Sequence, residues 1–439
     1  MKKVAFTTFG CRLNQYDTEM LRTLLERSGQ WQTVPLSNPG GSDDATAPDT
    51  QATADVPDVV VVNTCTVTAR ADASARKAIR RIHGSRPDCP IVVTGCYAQR
   101  APEELAALPG VKLVLGAADR ALVAAKLADL ERDDRLRPGQ ASVEVAVSPI
   151  TEARTFIDVP ITEMMEHTRA YVKVQEGCNE SCSFCIIPKT RGASRSRHPH
   201  SVMTQIRELL GHGYEEIVLT GVHLGDYGLD LELPYPMSGA GGPAGGVERR
   251  RRLVELVTGI LQLNGLARFR LSSIEPASID DALIDLMAGH DRFARHFHIP
   301  FQSGSDAILQ RMQRRYRARD FERLVERIAA RVPDCGIGCD VICGFPGESD
   351  ADFAATFELL ERLPLSYVHP FAYSVRPGST AETFPDQVPA DLKKRRVAAL
   401  KRLFRDKNLA FRQRHVGLEV QVLVETGRRG GQTLLGGWT

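Results

Sequence analysis

Short apolar runs alternate with amphipathic stretches through the first 130 residues. Four runs rich in β-branched residues, at 3–8, 58–63, 90–94 and 111–115, predict strands. Hydrophobic positions at helical spacing predict helices at 15–27, 67–83, 102–108 and 118–130. Continuous apolar strands separated by helices indicate a parallel α/β sheet that is covered on both faces.

A second series of strands and helices begins at Ala170, after a charged segment with several prolines. Strands are predicted at 170–175, 216–221, 268–274, 296–301, 336–343 and 368–373, with a helix in each gap. Six such units in a row favour a partial (β/α)6 barrel, whose chemistry lies at the carboxyl ends of its strands. Two segments rich in Pro, Gly and small residues, 37–57 and 231–246, predict surface insertions.

The last part of the chain is basic. Residues 391–415 contain ten Lys or Arg and two Asp, and Val397, Leu400, Phe404 and Phe411 recur at helical spacing. This pattern predicts a helix with one packed face and one positive face. Residues 416–425 alternate like a strand and a second strand starts near Leu434, so we expect an incomplete C-terminal module.

These patterns predict four parts: an N-terminal domain (1–130), a linker (131–163), a barrel (164–390) and a C-terminal module (391–439). With 43% hydrophobic and 25% charged residues, the chain is typical of globular proteins and is neither disordered nor fibrous. No run approaches the ~20 apolar residues of a membrane span. Ten cysteines and no export signal predict a reducing, cytoplasmic setting, where clustered thiols are more often metal ligands than disulfides.

Three cysteines each follow a predicted strand of the N-terminal domain. Cys11 follows the first strand, Cys65 the second and Cys96 the third. The carboxyl ends of parallel strands lie on one edge of the sheet, so we expect the three thiols to converge into a metal site. The alternative is three buried, structural cysteines. Cys89 precedes its strand and is left out of the site.

Three more cysteines, Cys178, Cys182 and Cys185, follow the first barrel strand with CxxxCxxC spacing. Three thiolates on one loop suit an iron–sulfur cluster, which normally takes four, so one iron would keep an open position. A zinc site is the alternative, with a fourth ligand from His198 or His200, although zinc sites favour paired CxxC spacing.

The string CNESCSFCIIPKTRGASRSR resembles the radical S-adenosylmethionine (SAM) methylthiotransferase family. Cys11, Cys65 and Cys96, in GCRLNQYDTE, NTCTVTARAD and TGCYAQ, match the family's N-terminal cysteines. The first of these motifs resembles the branch that acts on threonylcarbamoyladenosine in tRNA more than the isopentenyladenosine (GCQMN-like) or ribosomal-protein (GCPKN-like) branches. The segment VGLEVQVLVETG resembles the start of the family's small C-terminal β-barrel, a TRAM-like RNA-binding module, which we expect to be truncated here.

The resemblance implies two [4Fe–4S] clusters and SAM. The cluster on Cys178, Cys182 and Cys185 would cleave SAM to a 5′-deoxyadenosyl radical. Sulfur associated with the N-terminal cluster would then be inserted at C2 of the modified adenosine at position 37 and methylated by a second SAM. The implied partners are the tRNA anticodon stem-loop and a one-electron reductant such as flavodoxin or ferredoxin, with no membrane. The alternatives are isopentenyladenosine or a ribosomal-protein aspartate as substrate, or a non-catalytic iron–sulfur RNA-binding protein.

Other motifs end the predicted barrel strands. By the same resemblance, Gly221, Glu275 and Gln302 are expected to contact SAM, with a structural role as the alternative for Glu275. Cys335, Cys339 and Cys343 are spread along an extended strand, so we expect them to be structural. Basic residues after the cysteine loop and in a later arginine run predict surface patches for RNA phosphates. These residues are Lys189, Arg191, Arg195, Arg197, Arg311, Arg314, Arg315, Arg317 and Arg319.

Overall fold

The structure is a computed structural model that describes residues 1–36, 56–137, 142–165, 167–232, 251–429 and 432–438. Contacts divide the chain into two units. The first contains Met1–Tyr171, Ile187–Ala193 and Val422–Thr439, and the second contains Val172–Ile186 and Ser194–Gln421. The two predicted insertions lie almost wholly outside the described residues, and the four predicted domain boundaries stay predictions.

The first unit is built on a six-stranded parallel sheet. Its strands are β1 (Lys2–Thr8), β2 (Trp31–Thr33), β3 (Val59–Thr64), β4 (Ile91–Gly95), β5 (Val111–Leu115) and β6 (Glu144–Ala146). Its helices are α1 (Arg12–Arg27), α2 (Ala69–Ser85), α3 (Cys96–Arg100), α4 (Pro102–Ala106) and α5 (Val123–Arg132). The strand order is β2–β1–β3–β4–β5–β6, which confirms the predicted parallel α/β sheet.

Apolar side chains cover both faces of this sheet. Along β3, Val60 and Val62 pack with Ile79 of α2 in one cluster, whereas Val61 packs with Leu127 of α5 in another. Successive side chains of a strand point to opposite faces, so a continuous valine run fills both layers. The edge strands β2 and β6 were not predicted, because three residues give too short an apolar pattern.

The six predicted barrel strands and one short additional strand lie in the second unit, apart from the first three residues of the first strand. These are β7 (Arg169–Glu176), β8 (Arg195–Ser196), β9 (Glu216–Gly221), β10 (Arg268–Leu271), β11 (His296–Gln302), β12 (Gly336–Cys343) and β13 (Tyr367–Ala372). They form a sheet in the order β10–β9–β7–β8 and a parallel sheet in the order β11–β12–β13. Isolated bridges, Phe269 to Phe293 and Ser273 to His298, connect the two sheets.

Helices follow these strands as the alternating pattern predicts. They are α6 (Ile187–Arg191), α7 (Pro199–Gly211), α8 (Arg251–Leu261), α9 (Asp281–Gly289), α10 (Asp306–Arg311), α11 (Ala318–Arg331) and α12 (Asp350–Arg362). The helix α12 begins with a capping box between Ser349 and Asp352, which satisfies two backbone N–H groups at its start. By contacts, α6 belongs with the first unit although it directly follows the cysteine loop.

The basic segment forms one helix, α13 (Ala390–Gln413), that packs through Leu400 and Phe404 as predicted. Its charge is not confined to the outer face. Arg396 is also buried, and its guanidinium binds Glu348 at 2.9 Å and Asp350 at 2.7 Å.

The chain continues into an antiparallel hairpin of β14 (Leu423–Arg429) and β15 (Gln432–Trp438). The strand predicted at 416–425 therefore starts later than expected, and the incompleteness of this module stays a prediction. Within the described ranges, none of the helices has the length and hydropathy needed to cross a bilayer.

Candidate functional site

Three neighbouring strands bring the N-terminal cysteines to one edge of the sheet. Cys11 caps α1 just after β1, Cys65 follows β3, and Cys96 starts α3 directly after β4. Because β1, β3 and β4 are adjacent and parallel, the three residues leave the sheet side by side. We call Cys11, Cys65 and Cys96 the strand triad.

Glycines allow the backbone to turn tightly at two of these strand ends. Gly10 has a φ of +104°, and a Cβ there would lie 2.6 Å from the Cβ of Cys65 and 2.9 Å from its sulfur. Gly95 has a φ of +99°, and a Cβ there would lie 2.3 Å from the carbonyl oxygen of Thr64. Both positions require glycine for conformation and for space.

The thiols of the strand triad influence one another electrostatically. Burial, together with the neighbouring thiols of Cys96 and Cys11, raises the pKa of Cys65 to about 12, and Arg191 opposes this shift. Like charges at close range disfavour ionisation, so three thiolates at this edge need a cation or a metal to become stable together.

Arg191 supplies a positive charge beside the triad. Its Nε donates to the sulfur of Cys96 at 3.2 Å, and its Nη2 donates to Asn14 Oδ1 at 2.5 Å and to Asp17 Oδ2 at 3.0 Å. Asp17 also accepts from Arg120, and the side chains of Arg191, Asp17 and Arg120 are all at most 2% exposed. This buried network fixes one N–H group of the guanidinium on a triad sulfur.

The other cysteines lie on the loop between β7 and α6. We call Cys178, Cys182 and Cys185 the loop triad. The loop is held by Ser183, whose amide donates to Met312 O at 3.1 Å and whose hydroxyl donates to Arg311 O at 2.8 Å. Burial raises the pKa of Cys178 to about 12.

Arg314 links the loop triad to one of the predicted SAM-contacting residues. Its Nη1 donates to the sulfur of Cys182 at 3.3 Å, and its Nη2 donates to the carboxylate of Glu275 and to Pro300 O. Burial raises the pKa of Cys182, and Arg314 opposes this shift.

A cavity of about 520 Å³ lies beside this ion pair. Glu275, Arg314, Tyr316, His223 and Asp226 contribute to its lining. The cavity therefore presents donors and acceptors of both charges next to Cys182, which suits a zwitterionic ligand.

The other two predicted SAM contacts are placed differently. A Cβ at Gly221 would lie 3.0 Å from Gln175 Cβ and 3.0 Å from Leu224 Cδ2, so its neighbours are the protein's own side chains. Gln302 ends β11 at a register shift, with a φ of +74°. Neither residue lines the cavity. A left-handed glutamine is uncommon and is the kind of backbone strain that often marks a functional site.

The structure corrects the expectation of surface basic patches at four arginines. Arg191, Arg195, Arg197 and Arg314 have buried side chains rather than exposed ones. The sequence alone does not distinguish them from surface arginines, because it does not show which arginines have a buried partner. The two that donate to cysteine sulfurs, Arg191 and Arg314, were missed as site residues.

The remaining four cysteines are buried, and their structural role stays a prediction for Cys335, Cys339 and Cys343. Cys335 precedes β12, and Cys339 and Cys343 are fully buried within it. Cys89 is buried before β4, where its thiol donates to Pro57 O at 3.3 Å. The zinc alternative takes its fourth ligand from His198 or His200. Nδ1 of His198 already accepts a hydrogen bond from the amide of His200 and caps α7.

The donor sets fit iron–sulfur clusters better than single metal ions. Each triad offers three sulfur ligands with one arginine N–H directed at a sulfur, and hydrogen bonds to sulfur are among the features that tune such clusters. In the described part of the chain, His298, Asp340 and His369 are the set whose ligand atoms all lie within 4.8 Å of one another, so neither triad has that single-ion spacing.

Comparison with protein families matches two regions of the chain. Residues 172–360 match the Radical SAM superfamily, and residues 44–116 match a group described as Uncharacterized protein family UPF0004. The structure is also similar to the SAM methyltransferase TsrM from Kitasatospora setae, with a TM-score of 0.58 at 17% identity over 87% of this chain and 77% of that one. At this identity the likeness shows the fold alone.

Curated relatives cover nearly the whole chain. A Bacillus subtilis threonylcarbamoyladenosine tRNA methylthiotransferase is 38% identical over 91% of this chain and 80% of its own length. An Aquifex aeolicus protein of the same name is 36% identical over 96% of this chain and 92% of its own. A tRNA-2-methylthio-N6-dimethylallyladenosine synthase from Mycobacteroides abscessus is 31% identical over 97% and 78%.

A partial barrel with three cysteines after its first strand, matched by the superfamily over that region, defines a radical SAM enzyme. Within that class the chain belongs to the tRNA methylthiotransferase family, as its similarity to these relatives shows. Radical SAM enzymes use SAM with a [4Fe–4S] cluster, and methylthiotransferases of this type carry two clusters.

Proposed function

We propose that the protein methylthiolates C2 of N6-threonylcarbamoyladenosine at position 37 of tRNA. The reaction replaces the C2–H bond by a C2–S bond that carries a methyl group. The observation that carries this proposal is the pair of cysteine triads, one in each unit, in a chain at 34–38% identity to three threonylcarbamoyladenosine enzymes.

In this proposal the strand triad holds one [4Fe–4S] cluster and the loop triad holds the other. When bound, the clusters and SAM supply the one-electron chemistry and the sulfur and methyl groups. Each site has three cysteines, so one iron of each cluster has no thiolate from its triad. At the loop triad that open position is available to the amino and carboxylate groups of SAM.

The chain's own residues position and shield these groups. Arg314 holds Cys182 and Glu275 in one hydrogen-bonded unit, and the cavity beside them can take the polar parts of SAM. Gln302 ends the neighbouring strand, where its left-handed backbone orients an amide side chain. Gly221 lies at the carboxyl end of β9 and keeps that strand end free of a side chain.

The outer charges of α13 suit a tRNA backbone. Lys394, Arg395, Lys401, Arg402 and Arg405 are exposed along the helix, whereas Leu400 and Phe404 pack inward. Cationic side chains on one face attract phosphates without reading sequence. We assign this face to the anticodon stem-loop, and a one-electron reductant such as flavodoxin or ferredoxin completes the proposed system.

The second candidate substrate is dimethylallyladenosine in tRNA, because a relative of that name is 31% identical over most of the chain. Expression of the chain in a strain that lacks its own methylthiotransferases for both nucleosides separates the two. Mass spectrometry of digested tRNA should show the methylthio form of threonylcarbamoyladenosine. A methylthio form of dimethylallyladenosine alone, in a strain that lacks both enzymes, would contradict the proposal in favour of the second candidate.

A further inference from the structure

Three histidines, one tyrosine and one aspartate form a connected group on the β11–β12–β13 sheet. His298 Nε2 lies 3.0 Å from Asp340 Oδ1, and His369 Nδ1 lies 3.4 Å from the same oxygen. Tyr367 continues the group, because its hydroxyl lies 3.0 Å from His298 Nδ1 and 2.7 Å from His296 Nε2. We call these residues the histidine ladder.

The strand register puts the ladder on one face of the sheet. Asp340 pairs with Pro300 on one side and with His369 on the other, and His298 is two residues before Pro300. The opposite face carries Phe301, which stacks on Phe321 of α11 with ring centroids 3.9 Å apart. The ladder is therefore on the face that turns away from α11, and a polar group there needs a functional or structural reason.

The hydrogen bonds determine which ring nitrogens carry protons. Asp340 accepts from both histidines: burial favours protonation of this carboxyl, but the hydrogen bonds from His298 and His369 outweigh burial and lower its pKa to about 2. His369 therefore presents Nε2 as its second polar atom, and its side chain is 56% exposed. Nε2 can donate to a carboxylate when the ring is protonated and can accept from a hydroxyl when it is neutral.

An exposed aromatic ring stands beside this nitrogen. Phe371 is two residues beyond His369 on the same face, 46% exposed, with ring centroids 6.4 Å apart. Exposed aromatic rings are platforms on which unpaired bases stack. A base on Phe371 would place a polar substituent within reach of His369.

The ladder also lies near Glu275, the residue that Arg314 links to the loop triad. Ser273 pairs with His298 in a parallel bridge, which brings Glu275 alongside Pro300 on the neighbouring strand. Arg314 binds Glu275, Pro300 O and the sulfur of Cys182. A ligand on the ladder would therefore lie in the same part of this unit as the SAM site proposed above.

We propose that His369, oriented by Asp340, binds the carboxylate and hydroxyl at the end of the threonylcarbamoyl group and so selects it over the dimethylallyl group. The inference rests on the proposed function. In the protonated ring, the Nε2–H of His369 donates to the threonyl carboxylate and can share this bond with the oxygen of the adjacent hydroxyl, whereas a dimethylallyl group offers no acceptor. Sites that hydrogen-bond a substrate group discriminate strongly against analogues that lack it.

The test compares dissociation constants of reconstituted enzyme with SAM for two anticodon stem-loop RNAs that carry threonylcarbamoyl- or dimethylallyladenosine. His369→Gln and Asp340→Asn should weaken binding of the first RNA by about 10- to 100-fold, the range expected for a hydrogen bond to a charged group. Binding of the second RNA and SAM cleavage without RNA should stay within about twofold. His212→Gln, at an exposed histidine directly after α7, is the matched control and should change neither constant.

Equal weakening for both RNAs, or an unchanged ratio, would overturn the inference. A zinc ion bound by the same three ligand atoms would appear as one equivalent of metal that Asp340→Asn removes with the ratio intact, and this result would also overturn it. If wild-type enzyme modifies the threonylcarbamoyl RNA and the variants prefer that RNA as strongly as wild type does, the role of His369 is refuted and the proposed function stands. Wild-type enzyme that modifies only the dimethylallyl RNA refutes both.

Discussion

The two cysteine triads are assembled in opposite ways. The strand triad collects Cys11, Cys65 and Cys96 from three parallel strands, so its geometry depends on the whole sheet. The loop triad has all three cysteines within eight residues of one loop, which Ser183 fixes to the backbone at Met312 and Arg311. In each triad, one sulfur accepts a hydrogen bond from an arginine that is distant in sequence. Arg191 donates to Cys96 in the strand triad, and Arg314 donates to Cys182 in the loop triad.

The difference lies in the surroundings of the two sites. Arg191 binds Asp17 in a network whose charged side chains are at most 2% exposed, whereas Arg314 binds Glu275, which is 22% exposed and faces a cavity. A closed network suits a group that stays in place, and a cavity suits a ligand that enters and leaves. Under the proposed function, the loop triad handles SAM and the strand triad handles sulfur.

The largest expected effect separates these roles. Cys182→Ser should abolish both SAM cleavage and methylthio product, because under the proposed function the loop triad loses a cluster ligand. Cys65→Ser should abolish the product but leave dithionite-dependent SAM cleavage, since the loop triad is intact. Assays for 5′-deoxyadenosine and for the methylthio nucleoside on the reconstituted variants check this.

Cys89→Ser is the matched control, because Cys89 is buried in the first unit but lies at the opposite end of its strand from the triad. It should keep both activities. Loss of SAM cleavage in Cys65→Ser with normal iron at the loop triad would show that the two sites are not separable.

The sequence predicts the cysteines of both sites but not the residues that bind their sulfurs. The strand triad was predictable because apolar runs locate β1, β3 and β4, and the ends of parallel strands share an edge. The CxxxCxxC spacing reveals the loop triad directly. The partners of the sulfurs were not predictable, because burial of Arg191 and Arg314 depends on carboxylates that are distant along the chain.

The histidine ladder was not predictable from the sequence either, because its members are also distant along the chain. His298 lies 42 residues before Asp340, and Asp340 lies 29 residues before His369, so the three meet only through the register of three strands. Gly338 illustrates the point: a Cβ there would lie 1.9 Å from Tyr367 Cζ, so a residue that looks incidental in sequence makes room for a ring of the ladder.

An intermediate effect concerns the two arginines in metal-free protein. Arg191→Met should lower the free energy of unfolding by about 3 kcal/mol, because it removes an ion-pair partner from the fully buried carboxylate of Asp17. Arg314→Met should cost less, about 1–2 kcal/mol, because Glu275 can recover solvation from the cavity. Urea unfolding of both variants beside wild type measures this difference.

Arg315→Met is the control for a mere loss of positive charge, because its side chain is 70% exposed and its ion pair with Glu180 is at the surface. It should change stability by less than about 1 kcal/mol. A cost for Arg314→Met as large as that for Arg191→Met would remove the contrast between a closed and an open network.

The smallest effect is one in which the two triads should behave alike. The pKa values of Cys65 and Cys178 are both raised from 9.0 to about 12, so each thiol keeps its proton in the folded, metal-free protein after it has ionised in the unfolded chain. Protons are then held more tightly by the folded state, and stability falls as pH rises from about 9 towards 12. Each thiol should contribute a loss of about 1 kcal/mol between pH 8 and 9.5.

Comparison of variants isolates these contributions from the titration of other groups. Urea unfolding of metal-free Cys65→Ala and Cys178→Ala should show a shallower decline with pH than wild type, by about the same amount for each. Cys182→Ala extends the series, because burial raises the pKa of that thiol too. A decline unchanged in Cys65→Ala but shallower in Cys178→Ala would mean that Arg191 stabilises thiolate at the strand triad without any metal, and the closed network would then act as a preformed cationic site.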